Sequence, residues 1–448
     1  MKKIKTIYII GLSVLLLAAC DNDLDQTPPL DIETSTLTDF SGVLNAAYYY
    51  QTGVVTPQAM MGEFRSDNVA ADEDPYLSWK TFNSDLAGLD MKGPVFGPFY
   101  TNLYKSILSA NNVITNSSDA TEIAEAKFLR GLSYFKLVMV FGDVSVILTP
   151  QLTVLEIPEF DLTRVSANSV YDDVIIPDLE DAISDLDNSG ISSGRASQIA
   201  AQAVLGKVYL YRGNYVNAAV EFAEVISAAA SAGVSLEGDF ANVVTDESTE
   251  ILFATQLSSS ISIASGSSSS TTFVGWFHGD DTKANDSPVT TSLVAAFDAS
   301  TAAAGATDLR KALSVDDVKR IGIKYTGGLD QDFIEIRLTD VILMYAEALN
   351  ESGAAATTVL PLLDPIRTRA GLNSLTGTIS SQSDVRTAIA NERRVELAFE
   401  GHRWFDLVRT GTVDAAIGQV ISSDYYIFPI PSTEITASAG VITQNPGY

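Results

Sequence analysis

Residues 195–230 read RASQIAAQAVLGKVYLYRGNYVNAAVEFAEVISAAA. Apolar side chains recur at three- and four-residue spacing on both sides of Arg212, Gly213 and Asn214, a trio that favours a turn. The spacing predicts two helices folded back on each other through that turn, a helical hairpin. The same pattern spreads outward. Asp119 is placed to cap a helix, with Glu122 three positions on, and Phe128, Leu132, Phe135 and Met139 follow as one apolar stripe ending at Phe141 and Gly142. A second hairpin is expected over 335–370. Leu338, Val341, Ile342, Tyr345 and Leu349 form its first stripe, residues 350–353 its turn, and Val359, Leu362, Leu363 and Ile366 its second stripe. Strand signals are sparse, with short apolar runs at 144–148 and 251–256. The fold class is mainly α.

Within the first hairpin, Leu205, Gly206 and Tyr209, then Ala218 and Phe222, fall in the register of a tetratricopeptide repeat, although its leading Trp and closing Pro are absent. At the other end of the composition stands a single cysteine, Cys20. One thiol makes no internal disulfide and no metal cluster. Lys2, Lys3 and Lys5 precede an apolar run at 7–19 that is shorter than the ~20 residues a membrane-spanning helix needs. Leu17, Ala18, Ala19 and Cys20 resemble a bacterial lipobox. The expected order is therefore a lipoprotein signal peptide at 1–19, a lipidated tether at 20–34 with Cys20 as lipid anchor, and a helical body at 35–448. The tether, rich in Asp and Pro, is aperiodic.

Residues 1–19 carry three lysines and no acids; without them 25 basic residues face 56 acidic ones, a formal charge of −31. Such a surface repels nucleic acid and anionic headgroups. Catalytic motifs are scarce. Gly190, Ser192 and Gly194 match G-x-S-x-G, but that motif needs a preceding strand, and 170–186 reads as a helix. With His278 and His402 the only histidines, there is no His-x-x-x-His metal pair and little material for a general base. Paired carboxylates among 56 acids carry no information about glycoside hydrolysis. No metal, cofactor or catalytic residue is assigned.

The densest polar stretch is 391-NERRVELAFEGHRWFDLVRTG-411. Val395, Phe399, Trp404, Leu407 and Val408 are interspersed at helical spacing, and Glu396 and Glu400 lie one turn apart. This reads as a helix carrying a buried ion network. The stretch resembles the C-terminal signature of the SusD/RagB family of outer-membrane nutrient-binding lipoproteins. So do AKFLRGLSYFKLVMVFGDV at 126–144, LGKVYLYRGNYVNAA at 205–219, RLTDVILMYAEALNESG at 337–353, PIRTRAGL at 365–372, FPIPSTEI at 428–435 and NPGY at 445–448. The resemblance implies about four tetratricopeptide-like helix pairs with long irregular ligand-binding loops and no catalytic centre. It also implies a lipid anchor in the outer membrane at the cell surface, and a SusC-like TonB-dependent transporter as partner, over which the lipoprotein acts as a hinged lid. The ligand it implies is an oligosaccharide or, in RagB-like members, a peptide.

A sugar site needs flat aromatic faces beside carboxylates or amides. Two loops offer them, 65-RSDNVAADEDPYLSWKTFNSD-85 and 273-FVGWFHGDD-281, the second following the Ser-rich run 258–272. Trp79 and Tyr76 are expected in one wall of an exposed groove and Trp276 in the other, with Phe277, His278 and Asp280 nearby and Tyr325 as a further candidate. A glycan-cleaving enzyme is the competing class.

Overall fold

Helices dominate from Ser41 onward. The computed structural model describes residues 38–71, 73–150, 161–260, 273–278, 286–304, 306–328 and 330–448. The chain divides into two units, Met1–Phe40 and Ser41–Tyr448, and the account below is of the second. The expected signal peptide, Cys20 and the tether lie outside the described residues.

The principal helices are α1 (Ser41–Thr52), α2 (Val55–Glu63), α3 (Gly97–Asn116), α4 (Ala120–Phe141), α5 (Ile176–Asp185), α6 (Gln198–Tyr211), α7 (Tyr215–Ala229), α8 (Thr291–Ala304), α9 (Leu338–Glu351), α10 (Asp364–Arg369), α11 (Gln382–Glu396) and α12 (Arg403–Arg409). They pack in series: α1 on α3, α3 on α4, α4 on α5, α5 on α6, α6 on α7, α7 on α9, and α9 on α11. Strands are short: β1 (Val144–Ser145) with β2 (Arg164–Val165), β3 (Ile251–Thr255) with β6 (Phe333–Arg337), and β4 (Val315–Asp316) with β5 (Ile321–Gly322), all antiparallel. No helix among the described residues is long and apolar enough to cross a membrane.

Local sequence explains the helix ends. Asp119 accepts from the Thr121 and Glu122 N–H groups at the start of α4, and Gly142 closes that helix at φ 72°. The α6–α7 turn falls at the expected trio, with Asn214 capping Asn217 N–H. The stripe read on α4 understates its burial. Nearly every side chain from Phe128 to Phe141 is buried, because both α3 and α5 pack on this helix. Gln51 of α1 ties three helices together, donating to Ser106 of α3 (2.9 Å) and Ser133 of α4 (2.8 Å). The G-x-S-x-G match lies in a 3-10 turn (Ser189–Ser193) between α5 and α6, so no nucleophile elbow exists.

Two expectations need correction. The second arm of the hairpin at 335–370 is not one helix but three short pieces, Ala356–Val359, Leu360–Leu362 and Asp364–Arg369. Pro361 and Pro365 restart the helix each time, since proline gives no N–H to the preceding turn. The 391–411 stretch is also broken. α11 ends at Glu396, and Phe399 (φ 69°) and Gly401 (φ 77°) turn the chain before α12 begins. Gly62 permits that turn, because a Cβ there would meet the Gly401 carbonyl oxygen at 2.1 Å.

Glu396 and Glu400 meet across this turn on the Arg337 guanidinium. Arg337 donates to Glu400 twice at 2.8 Å, to Glu250 at 2.8 Å and to Glu396 at 3.1 Å. Arg369 reaches Glu396 at 2.6 Å, Arg310 reaches Glu392 at 2.6 Å and Glu396 at 2.9 Å, and Lys324 reaches Glu400 at 2.5 Å. All these groups are buried or nearly so. Burial alone would raise both carboxyls. The charges of Arg369, Arg337 and Arg310 on Glu396, and of Arg337 and Lys324 on Glu400, outweigh it and hold each at about 2. The ordinary Glu value is 4.5, so this stabilisation is complete above pH 4.5 and is lost as pH falls toward 2. Glu400→Gln should flatten that acid limb and cost roughly 3–5 kcal/mol near neutrality, because two buried cations lose a partner. Urea unfolding across pH 2.5–7 measures both; an unchanged acid limb would contradict the assignment.

Candidate functional site

The two aromatic loops are adjacent. After α2, residues 67–71 run beside 287–290: Thr290 N donates to Asn68 O (2.9 Å), Ala70 N donates to Pro288 O (2.8 Å), and Val69 bridges Val289. The first loop is pinned to the scaffold by charge. Asp67 accepts from Arg403 at 2.7 and 3.0 Å and pairs with Arg394 at 2.9 Å. Glu63, fully buried, accepts from Asn68 (2.9 Å) and from Gly401 N–H (3.1 Å), and burial pushes its carboxyl up to about 7. Next to it Arg65 is buried with its guanidinium 4.9, 5.5 and 5.3 Å from the rings of Phe82, Trp404 and Phe428. Lys80 donates to the Ser66 carbonyl, closing the loop on itself.

Phe64 is the centre on which the aromatics of both loops converge. Its ring lies 5.1 Å from Trp276, 5.6 Å from Tyr76 and 5.8 Å from Trp79, each edge to face, and Tyr76 meets Trp276 at 5.2 Å. The structure thus brings Tyr76, Trp79 and Trp276 into one cluster, but not as the expected groove. Trp79 is fully buried between Phe64, Phe96 and Phe428, with its N–H directed at the Met91 sulfur (3.0 Å). Trp276 is 4% exposed. Both indoles are too large and apolar to stay in water while four neighbouring rings can cover them. Phe277 stacks on Phe399 at 4.9 Å, and Tyr325 packs against Phe273 and donates to the Phe399 carbonyl (3.3 Å); both are buried. Tyr76 and His278 are half-buried, and Asp280 lies outside the described residues. At the surface, the cluster is therefore represented by Tyr76, beside exposed Glu73, Asp74 and Leu77.

His402 is half-buried; desolvation, then the Lys207 charge, pushes it down to about 4, so it stays neutral near neutrality. Among the described residues no three His, Cys, Asp or Glu side chains are grouped to hold a metal ion. A cleft of about 590 Å³ lies elsewhere, between α1 and the open end of the β3–β6 ribbon. Sequence reading did not single it out, although the run Tyr48, Tyr49, Tyr50 at the end of α1 was a signal for it.

A family model for the SusD family matches residues 309–421, and one described as starch-binding associating with outer membrane matches residues 22–210. SusD-like protein P2 of Formosa agariphila is 27% identical over the whole of both chains. A solved structure named laminarin binding SusD-like protein is 28% identical, covers 92% of this chain and 99% of its own, and superposes with a TM-score of 0.68. A SusD superfamily protein from Bacteroides vulgatus, 22% identical with a TM-score of 0.75 over 92% of this chain and 99% of its own, shares the fold. The two family models take in the helical series through α6 and, from residue 309 on, the charged C-terminal turn with its ion network, and the chain belongs to the SusD-like family.

Proposed function

We propose that this chain is a cell-surface lipoprotein that binds an oligosaccharide without chemical change and passes it to a SusC-like TonB-dependent transporter. The observation that carries the reading is the meeting of the two loops at Tyr76 and Trp276, in a chain built like a laminarin-binding protein. Tyr76, half-buried, supplies the ring for stacking, and the exposed Glu73 and Asp74 beside it supply acceptors for hydroxyls. Trp276 and Phe64 stand behind Tyr76 and fix its orientation; Trp79 anchors the loop from inside. The description of the matching family model as associating with the outer membrane supports the location. The lipobox-like ending at Cys20 supports the lipid anchor.

A peptide ligand is the second reading. It would be met by backbone amide and terminus contacts rather than by a ring face. A glycan and peptide array on the intact chain separates the two, and a reducing-end assay on the bound glycan tests whether binding is free of hydrolysis.

Three outcomes follow from these roles. Tyr76→Ala should weaken glycan binding about 10-fold, since ~50 Å² of ring surface is worth ~1.3 kcal/mol, with little change in melting temperature. Trp276→Ala should instead destabilise the fold by roughly 3–5 kcal/mol, as removal of a buried Trp does. Calorimetric titration and thermal melting on the same preparations read both, and the reverse pattern would move the platform from Tyr76 to Trp276. Cys20→Ala should release the folded protein from membranes, because acyl chains rather than the body hold it there; retention after carbonate washing would refute the anchor.

A further inference from the structure

The 590 Å³ cleft shares no residue with the aromatic loops. Its first wall forms where the β3–β6 ribbon comes apart. The last ladder pair is Thr255 with Phe333. Beyond it, carboxylates replace the backbone partners: Asp332 accepts from Leu257 N–H (2.8 Å) and Asp330 from the Ser259 hydroxyl (3.0 Å). Asp246 accepts from Asp332 N–H at 2.8 Å. These bonds hold the two chains apart and leave the ribbon end open.

The opposite wall comes from α1 and from the turn before α6. Arg195 lies over the Tyr48 ring at 4.6 Å and donates to Glu125 (2.7 Å) and to the Asn45 side-chain oxygen (2.9 Å). The Tyr48 hydroxyl donates to Glu125 (2.5 Å) and accepts from Ala196 N–H (2.9 Å). This closed network fixes the Tyr48 face, and Tyr49 sits beside it. Gly194, at φ 68°, lets the Gln256 amide close the end of the cleft, since a Cβ there would meet its nitrogen at 2.2 Å.

The lining selects its ligand by charge and bonding capacity. Three aspartates face a guanidinium already neutralised by Glu125, so an anion is repelled. No three potential metal ligands are grouped among the described residues, which argues against a bare cation. Acceptor-only carboxylates stand opposite an amide and a phenol that both donate and accept. Burial, together with the Asp246 charge, pushes the Asp332 carboxyl up to about 6, against the Leu257 hydrogen bond, so water solvates it poorly. An uncharged ligand dense in hydroxyls answers all of these, and its C–H face matches the tyrosine rings. The volume lies in the range of small-molecule sites. The geometry points to a second binding site in this cleft, for a short neutral saccharide, separate from the loop site proposed above.

The test is calorimetric titration of the full chain with laminari-, cello-, xylo- and maltohexaose, repeated on Tyr49→Ala, on Asp246→Asn/Asp330→Asn and on Tyr76→Ala. Melting temperature is monitored throughout. At least one hexaose should lose affinity 10-fold or more with Tyr49→Ala and with the double Asn variant, at unchanged melting temperature, and should retain the Tyr49-dependent event in Tyr76→Ala. Affinity reduced by Tyr76→Ala alone overturns the cleft site and supports the loop reading. Affinity reduced by Tyr49→Ala alone supports the cleft and overturns the loop site. Insensitivity of every hexaose to all variants overturns both, and saturation of the cleft by spermidine in place of any hexaose overturns the saccharide assignment.

Discussion

Arg337 is the residue on which the arrangement turns. It sits where β6 passes into α9, and its five N–H donors reach Glu250 before β3, Glu396 at the end of α11 and Glu400 in the turn to α12. Three segments far apart in sequence are thereby held at one point. A buried guanidinium tolerates almost no misplacement, because each lost carboxylate leaves a charge without solvent or partner. Such a network contributes less to net stability than its hydrogen bonds suggest, since every member was taken out of water. Its larger effect is on specificity: alternative packings of α9, α11 and the turn would leave charges stranded.

The site inherits its geometry from this point through short links. The turn that carries Glu400 also carries Gly401, whose N–H donates to Glu63, and Gly401 packs directly on Gly62. One residue past Glu63 is Phe64, the ring on which Tyr76, Trp79 and Trp276 converge. Asp67 then ties the same loop to Arg403 of α12 and Arg394 of α11. The aromatic loops are thus suspended from the ion network by two salt bridges and a hydrogen-bonded glutamate. That is why a surface formed by irregular chain can still present a ring in one orientation.

How far this was legible in sequence follows the range of the interactions. The 195–230 hairpin and the Asp119 cap were readable because their determinants lie within a few residues of one another. The break at 397–402 was not, because Val395 and Phe399 keep helical spacing across it, and the reason for the turn is Gly62, more than 300 residues earlier. Pro361 and Pro365 were visible signals that a long apolar stripe outweighed. The burial of Trp79 and Trp276 depends on Phe64, Phe96 and Phe428, partners that no local pattern announces. The loops that carry the aromatics could be found, but not which ring would face water. His402 and Trp404 were legible as scaffold, because they sat inside a pattern of alternating charge and apolar residues that only a buried network explains.

A half-buried tyrosine is a modest platform, and the modesty has a consequence for how a polymer would be held. Stacking on Tyr76 alone is worth about 1 kcal/mol, less than the freedom a bound glycan gives up. Bracing by Trp276 and Phe64 helps by removing the ordering cost on the protein side, but it adds no contact. A second saccharide site on the same body, as proposed for the cleft, would change the arithmetic. Once one end of a long glycan is engaged, the other is confined near the second site at an effective concentration set by the intervening sugar residues. Two weak contacts then hold a polymer firmly, while a short fragment bound at either one leaves quickly. Retention of long chains with ready release of short ones is the behaviour that the proposed role, capture followed by transfer to a transporter, requires, and two separate, individually weak sites would achieve it.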